Sequence, residues 1–331
     1  MTTAVVILNW NGRSLLEQFL PSVVKHSAEA TVYIADNAST DDSISFVAEH
    51  YPQVKIIQNK ENGGYAKGYN DALAEVKEDI FILLNSDVEV TPHWLEPIEN
   101  MFTSSPEVAV IQPKILDYKK KTHFEYAGAA GGFIDRLGYP YCRGRIFNTL
   151  EKDEGQYDDD QEIFWASGAC LAVRSSVFEE VKGLDEAYFA HQEEIDLCWR
   201  IKNRGYECWY TSASNVYHLG GATLNAMNPK KTFYNFRNSL YNLLKNVSGA
   251  KAYLLIIIRM LLDAVAGIQF LIERKPKHFL AILKAHASFY GHFFHIQKKR
   301  SSINPSKRDN FLSSIVWKYF IKGQTKFDEL S

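Results

Sequence analysis

Short apolar runs alternate with helix-like stretches through the first hundred residues. AVVIL at 4–8, TVYIA at 31–35, VKII at 54–57 and IFILL at 80–84 each predict a strand. The last is wholly apolar, as expected of a strand buried on both faces. Between them, Leu15, Leu16, Phe19 and Leu20 recur at helical spacing within 13–26. Ser39 or Thr40 offers a cap for a second helix, 65–76 reads as a third, and Pro92 stands where a further helix can begin. A βαβαβαβ order predicts a mostly parallel, Rossmann-like sheet wrapped by helices. Such sheets bind ligands beyond the carboxyl ends of their strands. Polar and acidic residues gather there: Asn9, Trp10 and Asn11 after the first strand, Asp36 and Asn37 after the second, Asn85, Ser86 and Asp87 after the fourth.

The pattern then changes. Residues 115–165 are irregular and rich in Gly, Tyr and charge, and 151–162 is acidic enough to read as a solvated loop. A strand at 169–173, a helix at 193–203 closed by Gly205, and strands at 207–210 and 215–218 follow. From about Lys230 long helices take over. The stretch 252–272 is apolar but carries Arg259 and Asp263, and 251–310 holds eleven Lys and Arg against three Asp and Glu. Domains are therefore expected at 1–225, an α/β part divided near 112, and at 226–331, a helical region.

Composition narrows the field. With 46% hydrophobic and 23% charged residues the chain has the ordinary globular mix, and a net charge of −2 argues against nucleic-acid binding. The four cysteines have neither CxxC nor zinc spacing, so a reduced, cytoplasmic setting is expected. No signal peptide is read at the N-terminus. The C-terminal helices fit either packing on the α/β domain or a second subunit, or contact with an anionic membrane from the inner face.

Two common nucleotide motifs fail. Gly63 to Gly68 has phosphate-loop spacing but continues Tyr69-Asn70, and Gly12 alone follows the first strand where a dinucleotide fingerprint needs three glycines. What remains is Asp87 at the end of a buried strand, either a helix cap or a ligand for a hard divalent cation. Glu193, Glu194 and Asp196 cluster at a helix start, which suits the helix dipole and also a general base of raised pKa. His218, before Gly220 and Gly221, is structural or a metal or phosphate ligand.

Read together, these segments resemble the family 2 glycosyltransferases, particularly a bacterial rhamnosyltransferase-like branch. VVILNWNG at 5–12, DNASTD at 36–41, NGGYA at 62–66 with Gly68 and Asn70, LLNSD at 83–87, SGA at 167–169, EEIDLCWR at 193–200 and His218 with Gly220-Gly221 occur in the family's order. The resemblance covers about two thirds of the chain and implies a GT-A fold, with nucleotide binding in 1–112 and the acceptor and catalytic part in 113–225. It implies that Asn9, Trp10 and Asp36 bind the nucleoside, with Asn62, Gly63 and Lys67 flanking the nucleotide. Asn85 and Ser86 would lie beside it, and Asp87 and His218 would hold Mg²⁺ or Mn²⁺. Glu194 would be the base, Asp196 its fallback, and Trp165, Ser167, Gly168 and Glu193 would border the sugar and acceptor.

The chain departs from the family at two places: Asn85 replaces the first Asp of Asp-x-Asp, and Glu193-Glu194 replaces Glu-Asp. The Gln-x-x-Arg-Trp signature of processive polymerases is absent, so one sugar is expected per encounter. The expected reaction is inverting transfer from a UDP- or dTDP-sugar to a saccharide or lipid-linked acceptor, in cell-surface polysaccharide synthesis. The alternatives are a catalytically silent nucleotide-sugar-binding protein of the same fold and, more weakly, a sugar-phosphate nucleotidyltransferase. A homo-oligomer is compatible with all three.

Overall fold

The computed structural model describes residues 1–220, 228–300 and 313–330. The chain opens with β1 (Thr3–Asn9), α1 (Arg13–His26), β2 (Thr31–Asp36), α2 (Ser43–His50), β3 (Lys55–Gln58), α3 (Gly64–Leu73) and β4 (Ile80–Asn85). β1, β2, β3 and β4 pair in parallel, in the order β4-β1-β2-β3, as the apolar runs predict. Neither Ser39 nor Thr40 caps α2. The helix starts at Ser43 behind Asp42, and Asp41 accepts from the Ser43 amide. Pro92 does not begin a helix either. Residues after Asp87 form a short strand, β5 (Val88–Val90), and α4 (Leu95–Ser104) starts only beyond Trp94.

β6 (Val108–Asp117) and β12 (Cys170–Arg174) turn the sheet mixed. β12 lies antiparallel to both β4 and β6. β11 (Asp160–Ile163) and β13 (Glu207–His218) close that edge, and β13 runs parallel to β6. The two strands expected at 207–210 and 215–218 are this single strand, irregular between Thr211 and Asn215. The stretch expected to be irregular holds a second small sheet of β7 (Gly132–Ile134), β8 (Pro140–Cys142), β9 (Arg145–Ile146) and β10 (Thr149–Leu150).

Apolar side chains fill both faces of the main sheet. Val5, Ile7, Ile34, Ile82 and Leu84 pack under α1 and α4, whereas Ala4, Val6, Phe81 and Leu83 face α3 and α5 (Ser175–Glu180). α6 (Glu193–Asn203) precedes β13, and the chain continues with α7 (Pro229–Asn246), α8 (Lys251–Ile272), α9 (Pro276–Lys298) and α10 (Ile315–Phe320). The expected boundary at 225 falls outside the described residues. Beyond it, α7 packs directly against α6, α8 and α9, so the helical region is continuous with the α/β part. Among the described residues α8 alone is long and apolar enough to cross a membrane.

Candidate active site

The carboxyl-end edge of the sheet is built around one short hook. After β4 the chain turns through Asn85, Ser86 and Asp87 into β5, which pairs antiparallel with the end of β13 so that Val88 faces His218. The Leu219 amide donates to the Asp87 carbonyl at 3.0 Å, which locks the register. His218 Nε2 consequently lies 3.1 Å from Asp87 Oδ1, with both residues buried. On the other side of the ring, Nδ1 stands 3.3 Å from Glu125 Oε2 as a charge contact rather than a directed hydrogen bond. Burial opposes a charged imidazole, but the Asp87 hydrogen bond and the charges of Glu125 and Asp87 prevail and push the His218 pKa up to about 10.

Glu125 was not foreseen. It sits in the loop after β6, which folds back on its own strand: the Glu125 amide donates to Ile115 at 3.1 Å. A Cβ on Gly220 would come within 2.7 Å of Glu125 Oε1, and Gly220 has φ +63°, so glycine is required twice over. Gly221 lies outside the described residues. Glu125 belonged to a segment read as irregular, and no motif marked it.

The fit of this cluster to a divalent cation follows from its donors. A metal-binding histidine commonly presents one nitrogen to the metal while a carboxylate holds the other, and Glu125 stands in that supporting place. Ligands bound side by side at about 2.1 Å from a metal are about 3 Å apart, which matches the Asp87–His218 separation. Among the described residues no three His, Cys, Asp or Glu side chains form a ready cage. Two protein ligands suit Mg²⁺ or Mn²⁺ completed by phosphate oxygens and water.

Glu193 and Glu194 open α6, reached through a strained loop. Phe189, His191 and Gln192 all have positive φ, at 63°, 68° and 69°. Such backbone persists only where its surroundings over-determine it. Here α7 supplies the restraint. Asn238 Nδ2 donates to the carbonyls of Ala190 and His191 at 3.0 and 2.7 Å, Arg237 reaches those of Ala187 and Tyr188, and Asn242 holds Gln192. The clamp residues lie on a helix whose sequence showed only long helical texture.

The link from α6 to the Asp87–His218 cluster is short. The Asn85 amide donates to Ala169 at 3.0 Å, and the Tyr65 hydroxyl donates to the neighbouring Gly168 carbonyl at 2.8 Å. A Cβ on Gly168 would fall 3.9 Å from that of Glu194. Glu194 is half-buried, and desolvation raises its pKa to about 7 against the helix-start amides that lower it. Glu193 is buried, with Oε2 unpartnered, and burial followed by the Glu194 charge pushes its pKa well up.

Asp196 cannot serve as the fallback base. It has no exposed surface, and its oxygens accept from Arg200 Nε and Lys245 Nζ at 2.8 Å and from Asn246 Nδ2 at 2.9 Å. Burial would raise its pKa, but Lys245 and Arg200 hold it far below the usual carboxylate range.

Several nucleotide-side expectations are also revised. Asn9 has no exposed surface and cannot line a pocket. Its amide binds Asp36 and Ser43, and Asp36 in turn accepts from the Ser39 amide, so both brace the loop. Trp10 is 53% exposed at the same edge. Asn62 Oδ1 accepts from the Gly64 amide, beside Gly63 at the start of α3. Lys67 pairs with Asp71 at 2.6 Å. Asn85 and Ser86 are half-buried. Trp165 and Ser167 are buried behind the edge, held by the Phe133 carbonyl and Gln112, which leaves Gly168 nearer the surface. A shallow depression of about 710 Å³ lies at the opposite end of β6 and β13, by Val108 and Trp209, and contains none of these residues.

The family model described as glycosyl transferase family 2 matches residues 4–182, more than half of the chain. The chain belongs to glycosyl transferase family 2. Relatives of this family 2 member include an N-acetylglucosaminyl-diphospho-decaprenol L-rhamnosyltransferase of Mycobacterium tuberculosis, 28% identical, covering 65% of this chain and 75% of the relative. The rhamnosyltransferase WbbL of Escherichia coli is 24% identical, over 65% and 82%. The chain is similar to these two rhamnosyltransferases over about two thirds of its length. Among solved structures, Staphylococcus aureus TarS 1-349 in complex with UDP-GlcNAc aligns with TM-score 0.54 at 13% identity, over 90% of this chain and 91% of that one. A mannosyltransferase from Pyrobaculum calidifontis in complex with GDP-Man and Mn²⁺ aligns with TM-score 0.52 at 12% identity, over 87% and 86%. The fold is GT-A, and the chain is a glycosyltransferase.

Proposed function

We propose that this family 2 enzyme transfers one sugar, with inversion, from a nucleoside diphosphate sugar (UDP- or dTDP-linked) to a hydroxyl of a saccharide or lipid-linked acceptor in cell-surface polysaccharide synthesis. The observation that carries the reading is Glu194, a half-buried carboxyl of near-neutral pKa at the start of α6, beside Gly168 at the sheet edge that holds Asp87 and His218. A general base is most effective when its pKa lies near the working pH.

In the reaction, Glu194 takes the proton of the acceptor hydroxyl as that oxygen attacks the anomeric carbon from the face opposite the diphosphate. The bond from the anomeric carbon to the diphosphate oxygen breaks, the electron pair leaves with the nucleoside diphosphate, and configuration inverts. Burial and the Glu194 charge push the Glu193 pKa well up, which disfavours a second negative charge beside the base. Mg²⁺ or Mn²⁺ held by Asp87 and His218 would offset charge on the departing diphosphate. The clamped loop before α6 holds Glu194 in place without rearrangement, which favours transfer over solvent attack.

The test is transfer of labelled sugar from UDP- and dTDP-sugars to saccharide and polyprenyl-diphosphate-sugar acceptors, with NMR of the product's anomeric configuration. An inverted product from the wild type and none from Glu194→Gln support the reading. A retained configuration, or full turnover by Glu194→Gln, removes it.

A further inference from the structure

The hairpin of α8 and α9 is inside-out. Within 252–272 the charged residues are Arg259 and Asp263, and both are buried, at 3% and 1% exposure. Arg259 donates to the Leu137 carbonyl and Ser239 hydroxyl and stacks on Tyr139, while Asp263 pairs with His286 at 3.0 Å. The opposite face of α8 carries Leu254, Ile257, Leu261, Val265, Ile268 and Ile272, spaced by three or four positions and all more than half exposed. α9 continues this surface with Leu280, Leu283, Tyr290 and Phe294, the last 76% exposed. An apolar stripe of this length standing free in water marks a surface that is covered in use.

The charges beside the stripe say by what. Lys251, Arg274, Lys277, Lys284 and Lys298 are exposed around it, and Glu273 is the acidic residue at the tip. An isologous contact between two copies would set this basic rim against itself. An anionic lipid surface complements it instead, with apolar side chains in the acyl boundary and lysines among the headgroups.

We propose that the α8–α9 face docks in the plane of an anionic bilayer. α8 spans about 33 Å, enough to cross the hydrocarbon core. Crossing, however, would strip Arg259 and Asp263 of the partners they have on α7, α9 and the small-sheet region. Tip-first insertion would bury Arg274 and Lys277. Lying flat keeps both sets of contacts. Because α7 joins the hairpin to the loop before α6, docking also sets the height of Glu194 above the lipid surface.

The experiment uses the full chain without substrate, so it fails or succeeds independently of the proposed transfer. The protein is sedimented with vesicles of phosphatidylcholine alone and with added phosphatidylglycerol. The native cysteines Cys142, Cys170, Cys198 and Cys208 are buried, so Leu261→Cys can carry a single environment-sensitive fluorophore. Expected are sedimentation and a blue shift with the anionic vesicles, and at least about a tenfold loss of binding in Ile257→Glu/Leu261→Glu/Val265→Glu. Unchanged circular dichroism of that variant shows that the fold survives. No sedimentation of the wild type with anionic vesicles would overturn the proposal. A wild-type dimer that ignores vesicles and is split by the triple variant would overturn it in favour of a second copy.

Discussion

His218 Nε2 stands 3.1 Å from Asp87 Oδ1 across 131 positions of chain. The antiparallel pairing of β5 with the end of β13 brings them together, and Glu125 supports the ring from behind. If Glu125 positions His218 for a cation, its removal should act on metal affinity first. Glu125→Gln should weaken Mn²⁺ binding in the presence of UDP or dTDP by about 10- to 100-fold, read by calorimetry without any turnover. Unaltered Mn²⁺ affinity would assign Glu125 a packing role only.

Glu194 gives a pH prediction. Its pKa of about 7 means that the base form is lost as pH falls below neutrality. Turnover at saturating donor should therefore rise with pH through about 7 and then level off. Glu194→Gln should lower turnover by about 10²- to 10⁴-fold while leaving nucleotide binding intact. A rate independent of pH between 5.5 and 8.5, about 1.5 units to either side, would show that another group takes the proton.

Asp196 separates structure from chemistry. Removing one partner of a buried ion pair leaves the other charge stranded, so Asp196→Ala should cost about 3–5 kcal/mol of stability, measured by denaturant unfolding. The sign of its pH dependence follows from a pKa lowered in the folded state. Asp196 stabilises fully above the unfolded carboxylate value of about 4, and that contribution fades as pH falls below it. Stability unchanged in the variant would mean that Lys245 and Arg200 find other partners.

Much of the fold was legible because its signals are local. The runs at 4–8, 31–35 and 80–84 became β1, β2 and β4, since four or five apolar residues between polar ones suffice to mark a buried strand. The small sheet β7–β10 escaped because strands of two or three residues show no period. Pro92 misled because the residues before it were already committed to β5 by a partner more than a hundred positions away. At the site, Asp87, Glu194 and His218 stood in recognisable motifs. Glu125, Arg237 and Asn238 did not, because each acts on backbone or a ring distant in sequence. Asn9 and Ser167 also lay in motifs, yet burial makes them supports rather than linings.

Gly168 tests the contact that joins the two halves of the site. A Cβ there would lie 2.9 Å from the Tyr65 hydroxyl oxygen and 3.3 Å from its ring carbon. Gly168→Ala should displace Tyr65 from the Gly168 carbonyl, lowering turnover about tenfold or more with a stability loss of about 1–3 kcal/mol. The reference is Tyr65→Phe, which loses the hydrogen bond without the collision. Wild-type turnover in both variants would separate this contact from catalysis.

The proposed transfer requires a nucleoside diphosphate sugar site organised around Asp87. The most direct measurement is a thermal-shift panel of UDP, dTDP, GDP and CDP, each with and without Mn²⁺, on the wild type and on Asp87→Asn. A ligand that binds only the folded state must raise the melting temperature. A Mn²⁺-dependent rise is expected for UDP or dTDP in the wild type, together with its loss in Asp87→Asn. Folded wild-type protein that shifts with none of the four, or shifts equally after Asp87→Asn, would contradict it.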